Sequence, residues 1–179
     1  MKTVGVLALQ GAYEAHQKKI ALLGYDCILI KTLAGLDKAD AIILPGGEST
    51  TMTYLLQKHH LWETLMHKAQ KVPTLATCAG VILLQKLGLL DVEITRNGYG
   101  RQLASGIYPL DVDLDGTQKK MNGFFIRAPI VDKVNDTSIE VLSHYQGKPV
   151  LLRKDNILAA TFHPELSEDT LIHKAFMTM

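Results

Sequence analysis

Four short apolar runs, separated by segments of helical spacing, constrain the fold of this chain more than any other feature. The runs occupy residues 4–9, 27–30, 41–44 and 73–77. Short runs of this composition are typical of strands that are buried on both faces. Residues 12–23 and 50–70 each have the spacing of a helix, and Gly24 is placed to end the first of them. This alternation predicts a parallel sheet with right-handed crossovers and helices on both faces.

The second half of the chain has a different pattern. Turn residues at 147–149 and 154–156 separate short apolar segments, which predicts antiparallel hairpins. Ser167 or Asp169 is predicted to cap a final helix that ends near Phe176. The strand candidates are residues 92–94, 110–112, 124–126, 141–142, 150–152 and 157–162. Because no repeat or linker divides the chain, we expect residues 1–179 to form one α/β domain with an antiparallel addition.

Charge and cysteine content exclude several classes of protein. Lys and Arg total 19 against 18 Asp and Glu, and this balance does not favour a nucleic acid or an anionic membrane as partner. No apolar run approaches the roughly 18 residues that span a bilayer. The N-terminal run is too short for a signal peptide and has no small-residue cleavage site after it. Only Cys27 and Cys78 are present, so we expect a reduced cytoplasmic protein without disulfides.

Cys78 lies at a predicted junction between a strand and a helix. Its neighbours Ala76, Ala79 and Gly80 are small, which leaves room for a sharp corner. The positive end of a helix dipole at this position favours the thiolate over the thiol. The alternative is a buried structural cysteine, and Cys27, inside an apolar run, fits that description well. The setting of Cys78 favours a nucleophile.

His163 and Glu165 end the last strand candidate and can serve as a base and its orienting carboxylate. A nucleophile, a base and an orienter together indicate acyl-transfer chemistry. No cysteine or carboxylate cluster completes a metal site among the histidines, so none is expected. Surface or ordinary hydrogen-bonding roles are expected for the six other histidines, His16, His59, His60, His67, His144 and His173.

A glycine pair follows the third strand candidate and opens the long helical segment. Gly46 and Gly47 allow the backbone to approach a substrate closely, and free N–H groups there can hold an oxyanion or a carboxylate. The alternative is an ordinary tight loop in which Ser49 or Thr50 caps the helix. The loop lacks the Gly-Lys-Ser/Thr ending of a phosphate loop and is not a Gly-x-Ser-x-Gly elbow.

Three arginines lie in segments that could serve the same site. Arg96, Arg101 and Arg127 are each suited to bind a carboxylate in bidentate fashion. Taken singly, each of them is more typical of a solvated surface charge. Residue type alone does not choose between Arg96 and Arg101.

Six segments together resemble the glutaminase subunits of pyridoxal phosphate synthase, a family of class I, triad-type glutamine amidotransferases. The cysteine corner and the His-Pro-Glu sequence identify only the wider superfamily. The Leu-Gln-Gly-Ala, Gly-Gly-Glu-Ser-Thr-Thr, Arg-Asn and Ile-Arg-Ala-Pro sequences are specific to the subfamily. The matching segments are residues 6–12, 44–52, 77–80, 96–102, 125–129 and 162–166.

The resemblance implies a three-layer, flavodoxin-like sandwich that hydrolyses L-glutamine without a cofactor or metal. It assigns Cys78 as nucleophile, His163 as acid and base, and Glu165 as orienter. It further implies that the partner is the synthase subunit of a large hetero-oligomer, that activity is low before this partner binds, and that Gln10 communicates with it. By resemblance, the oxyanion is held near Gly46, Gly47 and Ala79, and glutamine contacts Gly47, Glu48, Ser49, Arg96 (rather than Arg101), Ile126 and Arg127.

Two departures from the family pattern and two rival functions accompany this interpretation. Ala76 stands where the family has glycine, and its methyl group can crowd the corner, although we expect activity to survive. The connection at residues 86–90 is short for the family, so partner contacts of that loop are not carried over from the resemblance. The rivals are the same chemistry in histidine or purine synthesis, and a non-catalytic regulatory domain of the same fold.

Overall fold

The apolar runs form strands of one seven-stranded sheet in the computed structural model, which describes residues 2–96 and 105–179. The elements of the first half are β1 (Thr3–Leu7), α1 (Tyr13–Leu22), β2 (Asp26–Ile30), α2 (Leu33–Asp37), β3 (Ala41–Leu44), α3 (Ser49–Lys58), α4 (Trp62–Ala69), β4 (Thr74–Thr77) and α5 (Ala79–Lys86). Those of the second half are β5 (Val92–Thr95), β6 (Ser105–Leu114), β7 (Thr117–Ile126), β8 (Ile130–Val134), β9 (Glu140–Tyr145), β10 (Lys148–Lys154), β11 (Ile157–Ala160) and α6 (Leu171–Met177).

The strand order is β2-β1-β3-β4-β11-β10-β9. The first five strands run parallel, whereas β10 pairs antiparallel with both β11 and β9. Side chains of α2 to α5 pack on one face of the sheet. Helices α1 and α6 and the β6–β7 hairpin cover the other face. The predicted three-layer α/β sandwich, with a mostly parallel sheet and antiparallel strands in the second half, is therefore confirmed.

The C-terminal ends of α1 and α3 show that the first predicted helix was correct and that the second was wrong. Gly24 has a φ of 78° just after α1, and the N–H of Tyr25 reaches back to the carbonyl of Ile20, which confirms the predicted C-terminal cap. The single helix predicted over residues 50–70 is two helices. His60 has a φ of 56°, and the N–H of Leu61 bonds to the carbonyl of Leu56, so the same capping motif divides α3 from α4 without a glycine.

Hairpins account for most of the second half, as predicted. Gln146 and Gly147 connect β9 to β10, and Asp155 lies in the turn between β10 and β11. Strands β6 and β7 extend to ten residues each and pair around Asp115 and Gly116, well beyond the predicted segments. The short elements α2 and β8 were not predicted.

The last helix begins later than either predicted cap. Thr170 is the N-cap residue, and its side chain makes no capping bond. Asp169 instead accepts the N–H of Leu171 at 2.7 Å, so the carboxylate still satisfies one free donor of the helix end. Among the described residues, every helix is too short or too polar to cross a membrane.

Candidate active site

Four neighbouring strands deliver the predicted site residues to one edge of the sheet. The carboxyl ends of β1, β3, β4 and β11 lead into Gln10, Gly46, Cys78 and His163, in that order. Ligands of open parallel sheets bind at this edge. A cavity of about 410 Å³ opens there, and it is lined by Gln10, Ala12, Gly46, Gly47, Glu48, Ser49, Cys78, Ala79, Ile82, Arg96, Ile126, Arg127, Pro129 and His163.

Cys78 occupies a strained corner. Its backbone has a φ of 48° and a ψ of −112°, a region that costs a residue with a side chain about 1–3 kcal/mol. The surrounding structure imposes this conformation, because the Cys78 N–H donates to the carbonyl of Ala160 at 2.8 Å while its own carbonyl accepts the N–H of Val81. The corner places the thiol at the N-terminus of α5, where it is 7% exposed. This is the setting expected of an activated cysteine.

His163 and Glu165 form a short, buried hydrogen bond. The distance between His163 Nδ1 and Glu165 Oε1 is 2.6 Å, and the two residues are 7% and 5% exposed. The backbone N–H of His163 donates to the carbonyl of Phe124 at 2.8 Å, which fixes the main chain of this residue. Burial opposes a charge on the imidazole, but hydrogen bonds and charge interactions with the Cys78 sulfur and the Glu165 carboxylate outweigh burial and raise the pKa of His163 to about 10.

The glycine loop lies against both Cys78 and His163. A β-carbon built at Gly46 would lie 2.5 Å from His163 Cε1 and 3.2 Å from Cys78 Cβ, so only glycine fits there. The carbonyl of Gly46 accepts the N–H of Ala12 at 2.9 Å, and Gln10 Oε1 accepts the N–H of Glu48 at 2.8 Å. The β1–α1 turn therefore holds the loop from behind.

Glu48, rather than Ser49 or Thr50, is the N-cap of α3. Its carboxylate accepts the backbone N–H groups of Thr50 and Thr51 at 3.0 and 2.7 Å. These bonds, led by that of Thr50, lower the pKa of Glu48 to about 2. The guanidinium of Arg96 donates to Glu48 Oε1 at 3.1 Å and to Ser49 Oγ at 2.5 Å, which holds it at the rim of the cavity.

Two other predicted substrate contacts, Ile126 and Arg127, line the same cavity. The carbonyl of Ile126 is 3.9 Å from Cys78 Sγ, and Arg127 follows with a φ of 44°. Arg101 and the rest of the segment at 97–104 lie outside the described residues. The assignment of Arg96, rather than Arg101, as the arginine that contacts glutamine therefore stays a prediction.

The two departures from the family pattern are Ala76 and the short connection at residues 86–90. Ala76 is fully buried in β4 and keeps its register with Leu44 on one side and Ala159 on the other. Gly88, with a φ of 70°, ends α5, and the N–H of Leu89 bonds to the carbonyl of Leu84. The methyl group of Ala76 thus lies within a regularly paired strand, and the short connection is a capped helix end.

Two histidines behind Glu165 were not singled out by sequence reasoning. Surface or ordinary hydrogen-bonding roles were expected for His16 and His173, and the structure shows the second of these, because both are fully buried and bonded to each other. His16 Nε2 lies 3.4 Å from Glu165 Oε2. The spacing of His16 and Ile20, four residues apart on one face of α1, could have indicated that His16 faces the core.

The described part of the chain supports neither a metal site nor Cys27 as a second reactive cysteine. No three His, Cys, Asp or Glu side chains of residues 2–96 and 105–179 are grouped so as to hold a metal ion. Burial raises the pKa of the Cys27 thiol to about 11, so Cys27 is a poor nucleophile near neutral pH. The arrangement fits attack by a thiolate on an acyl carbon, assisted by an imidazole.

Comparison with known proteins gives consistent results for sequence and for structure. The model of the SNO glutamine amidotransferase family matches residues 6–179. The chain is 43% identical over 180 residues to "Pyridoxal 5'-phosphate synthase subunit PdxT" of Francisella tularensis subsp. tularensis (strain WY96-3418), with 98% of each chain covered. A relative of the same name from subsp. novicida (strain U112) is also 43% identical, with the same coverage.

Solved structures extend the similarity to the fold. A crystal structure of a glutamine amidotransferase matches with a TM-score of 0.90 and 35% identity, covering 98% of this chain and 97% of the other. The structure of PurLQS from Thermotoga maritima matches with a TM-score of 0.76 and 16% identity, covering 99% of this chain and 98% of the other. The second likeness supports the fold alone.

Proposed function

The chain belongs to the SNO glutamine amidotransferase family, as its sequence motifs predict, and from this we propose that it is the glutaminase subunit of a pyridoxal 5'-phosphate synthase. In this role it hydrolyses L-glutamine to L-glutamate and ammonia, and a synthase subunit consumes the ammonia. We further propose that residues 1–179 act as a single amidotransferase domain in the cytoplasm. The observation that carries the proposal is the strained Cys78 corner beside the bonded His163–Glu165 pair.

The first half of the reaction forms a thioester. The Cys78 thiolate attacks the side-chain amide carbon of glutamine, and a bond forms between sulfur and carbon. His163 gives its proton to the departing nitrogen, the C–N bond breaks, and ammonia leaves. The raised pKa of His163 supports this step, because the ring then carries the proton that the leaving group needs. Glu165 stabilises the imidazolium and orients it.

The second half releases glutamate. His163, now neutral, takes a proton from water, and the resulting hydroxide adds to the thioester carbon. The C–S bond then breaks, which frees glutamate and restores the thiolate. Both tetrahedral intermediates carry a negative oxygen, for which we propose N–H donors from the Gly46–Gly47 loop and from Ala79. The first N–H groups of a helix have no intrahelical acceptor, so that of Ala79 at the start of α5 is available for this role.

Substrate selection is proposed for the rim of the cavity. Arg96 is suited to bind the α-carboxylate of glutamine, and Gly47, Glu48, Ser49, Ile126 and Arg127 line the same space. Gln10 supports the glycine loop through the N–H of Glu48. We propose that it transmits binding of the synthase to this loop, with low activity before binding and full activity in a hetero-oligomer.

An assay of glutamine hydrolysis with and without the purified synthase subunit tests this function. We expect release of glutamate and ammonia in the complex, a lower rate for the isolated chain, and no release by the complex of Cys78→Ala. Cys27→Ala is the matched control and retains activity. Wild-type rates from the Cys78→Ala complex would overturn the enzyme function and leave a non-catalytic domain. Copurification with a histidine-pathway cyclase, instead of the pyridoxal phosphate synthase, would overturn the pathway.

A further inference from the structure

Two buried histidines lie behind the proposed triad, on the side away from the cavity. His16 of α1 and His173 of α6 contact each other through His16 Nδ1 and His173 Nε2, which are 3.0 Å apart. The second nitrogen of His16, Nε2, lies 3.1 Å from Thr77 Oγ1 and 3.4 Å from Glu165 Oε2. The two helices, distant in sequence, therefore meet at the back of the orienting carboxylate.

The Glu165 carboxylate needs a donor on each oxygen. Its Oε1 is bonded to His163, but Oε2 is buried and makes no conventional hydrogen bond within residues 2–96 and 105–179. An unpaired oxygen on a buried carboxylate is costly. The nitrogen that faces this oxygen is Nε2 of His16, at a distance that a small rotation of either side chain converts into a hydrogen bond.

Burial decides the charge of the two histidines. Burial lowers the pKa of His16, although Glu165 opposes the shift, and burial together with His16 lowers that of His173 to about 3. Each ring is therefore neutral and carries one N–H. The charged groups that face the pair are Glu165 and His163 on one side and Lys19 on the other.

Of the two possible arrangements of the protons, one suits these surroundings better than the other. If His16 carried its proton on Nδ1, its Nε2 lone pair would face the lone pairs of Glu165 Oε2. His173 would then carry its proton on Nδ1, an atom that is buried without a partner among the described residues. With both protons on Nε2, His173 donates to His16, and His16 donates toward Glu165 and Thr77. Of the atoms of this pair, just one weak acceptor, His173 Nδ1, is then left without a partner among the described residues.

We infer that His16 is a positioning residue of the triad, whose Nε2–H fixes the second oxygen of Glu165 and whose tautomer is set by His173. This inference rests on the proposed glutaminase function for its effect on turnover, but not for the hydrogen-bond chain itself. Losing the donor raises the pKa of Glu165, because an N–H bond stabilises the charged carboxylate. A protonated or rotated Glu165 then supports the His163 imidazolium poorly.

Two substitutions of His16 separate a positioning role from a merely structural one. In the complex with the synthase, we expect His16→Leu to lower kcat about 10- to 100-fold, by analogy with residues that orient the ligands of a metal site. The KM for glutamine stays near the wild-type value, because His16 does not line the cavity. The acid limb of the kcat/KM profile moves to higher pH. His16→Gln, whose amide can donate from the same place, recovers much of the rate, and exposed His144→Gln serves as the control.

Two further readouts do not depend on glutamine. The rate of Cys78 alkylation by iodoacetamide reports the thiolate, and we expect its pH profile to shift to higher pH in His16→Leu. Nitrogen NMR of ¹⁵N-histidine-labelled wild-type protein is expected to find His16 neutral and protonated on Nε2. A His16 protonated on Nδ1, or a folded His16→Leu with wild-type kcat and alkylation profile, would overturn the inference. If the wild-type complex releases no ammonia while the tautomer and alkylation shift are as expected, the proposed function fails and the positioning role stands.

Discussion

Replacing Gly46 with alanine is predicted to disable the proposed triad while leaving the fold intact. The added β-carbon would lie 2.5 Å from His163 Cε1 and 3.2 Å from Cys78 Cβ. Carbon atoms in good contact are about 3.5–4 Å apart, so the imidazole must retreat by roughly 1 Å. The ring of His163 is hydrogen-bonded to Glu165 at 2.6 Å, and a shift of the ring by this distance disturbs that bond.

The size of the effect follows from this displacement. Misplacing a catalytic group by about 1 Å costs on the order of 100-fold in rate, or about 2.7 kcal/mol of transition-state stabilisation. We therefore expect Gly46→Ala to lower kcat/KM about 100-fold. The assay is glutamate formation by the complex with the synthase, coupled to glutamate dehydrogenase, together with thermal unfolding of the isolated chain.

A second glycine provides the matched control. Among the described residues, the nearest neighbours of a β-carbon built at Gly35, in α2, lie 3.7 Å away, so we expect Gly35→Ala to retain wild-type activity. A folded Gly46→Ala with wild-type kcat/KM would refute the reasoning, because it would mean that Gly46 does not abut the base.

Four further predictions concern stability, measured by urea unfolding. Cys78→Gly is expected to be about 1–3 kcal/mol more stable than Cys78→Ala, because glycine relieves the strained corner; equal stabilities would contradict the strain. Glu48→Ala is expected to lower the free energy of unfolding by about 1 kcal/mol at neutral pH, the usual value of an N-cap. This loss becomes smaller as the pH falls from 4.5 toward 2, because the wild-type carboxylate then loses its charge. The difference in unfolding free energy between the wild type and His163→Gln is expected to be largest below pH 6.5 and to fall as the pH rises toward 10. The reason is that the folded state holds the imidazole proton more tightly than the unfolded state does. A difference that grows over this range would contradict the raised pKa of His163. His60→Gly is expected to gain about 1 kcal/mol, because His60 is in the left-handed region; a loss would show that its side chain contributes more than its backbone costs.

Much of the fold was predictable because its signals are local. Runs such as residues 41–44 are apolar throughout, since β3 is buried on both faces, and the turn after each parallel strand marks the site edge. The break at His60 gave no such signal, because the capping conformation is adopted there by a residue other than glycine. Most residues of β7 are exposed or partly exposed, so the apolar pattern covered only its inner end.

The candidate site likewise contains residues that the sequence indicated and residues that it did not. Cys78 and His163 follow strands and belong to recognisable motifs, so the sequence indicated both. His16 and His173 meet only through the tertiary fold, 157 positions apart in the chain, and each alone resembles an ordinary polar residue. The identity of the N-cap was also missed, because Glu48 is a less usual cap than the Ser49 and Thr50 that follow it.

The central claim is that Cys78 forms a thioester with the glutamyl group of its substrate. Mass spectrometry of the complex, quenched with acid during turnover of glutamine, tests it most directly. We predict a chain heavier by one γ-glutamyl group, with the addition mapped to the peptide that contains Cys78 and absent from Cys78→Ala. Ammonia release without this adduct under single-turnover conditions, or an adduct on another residue, would contradict the account.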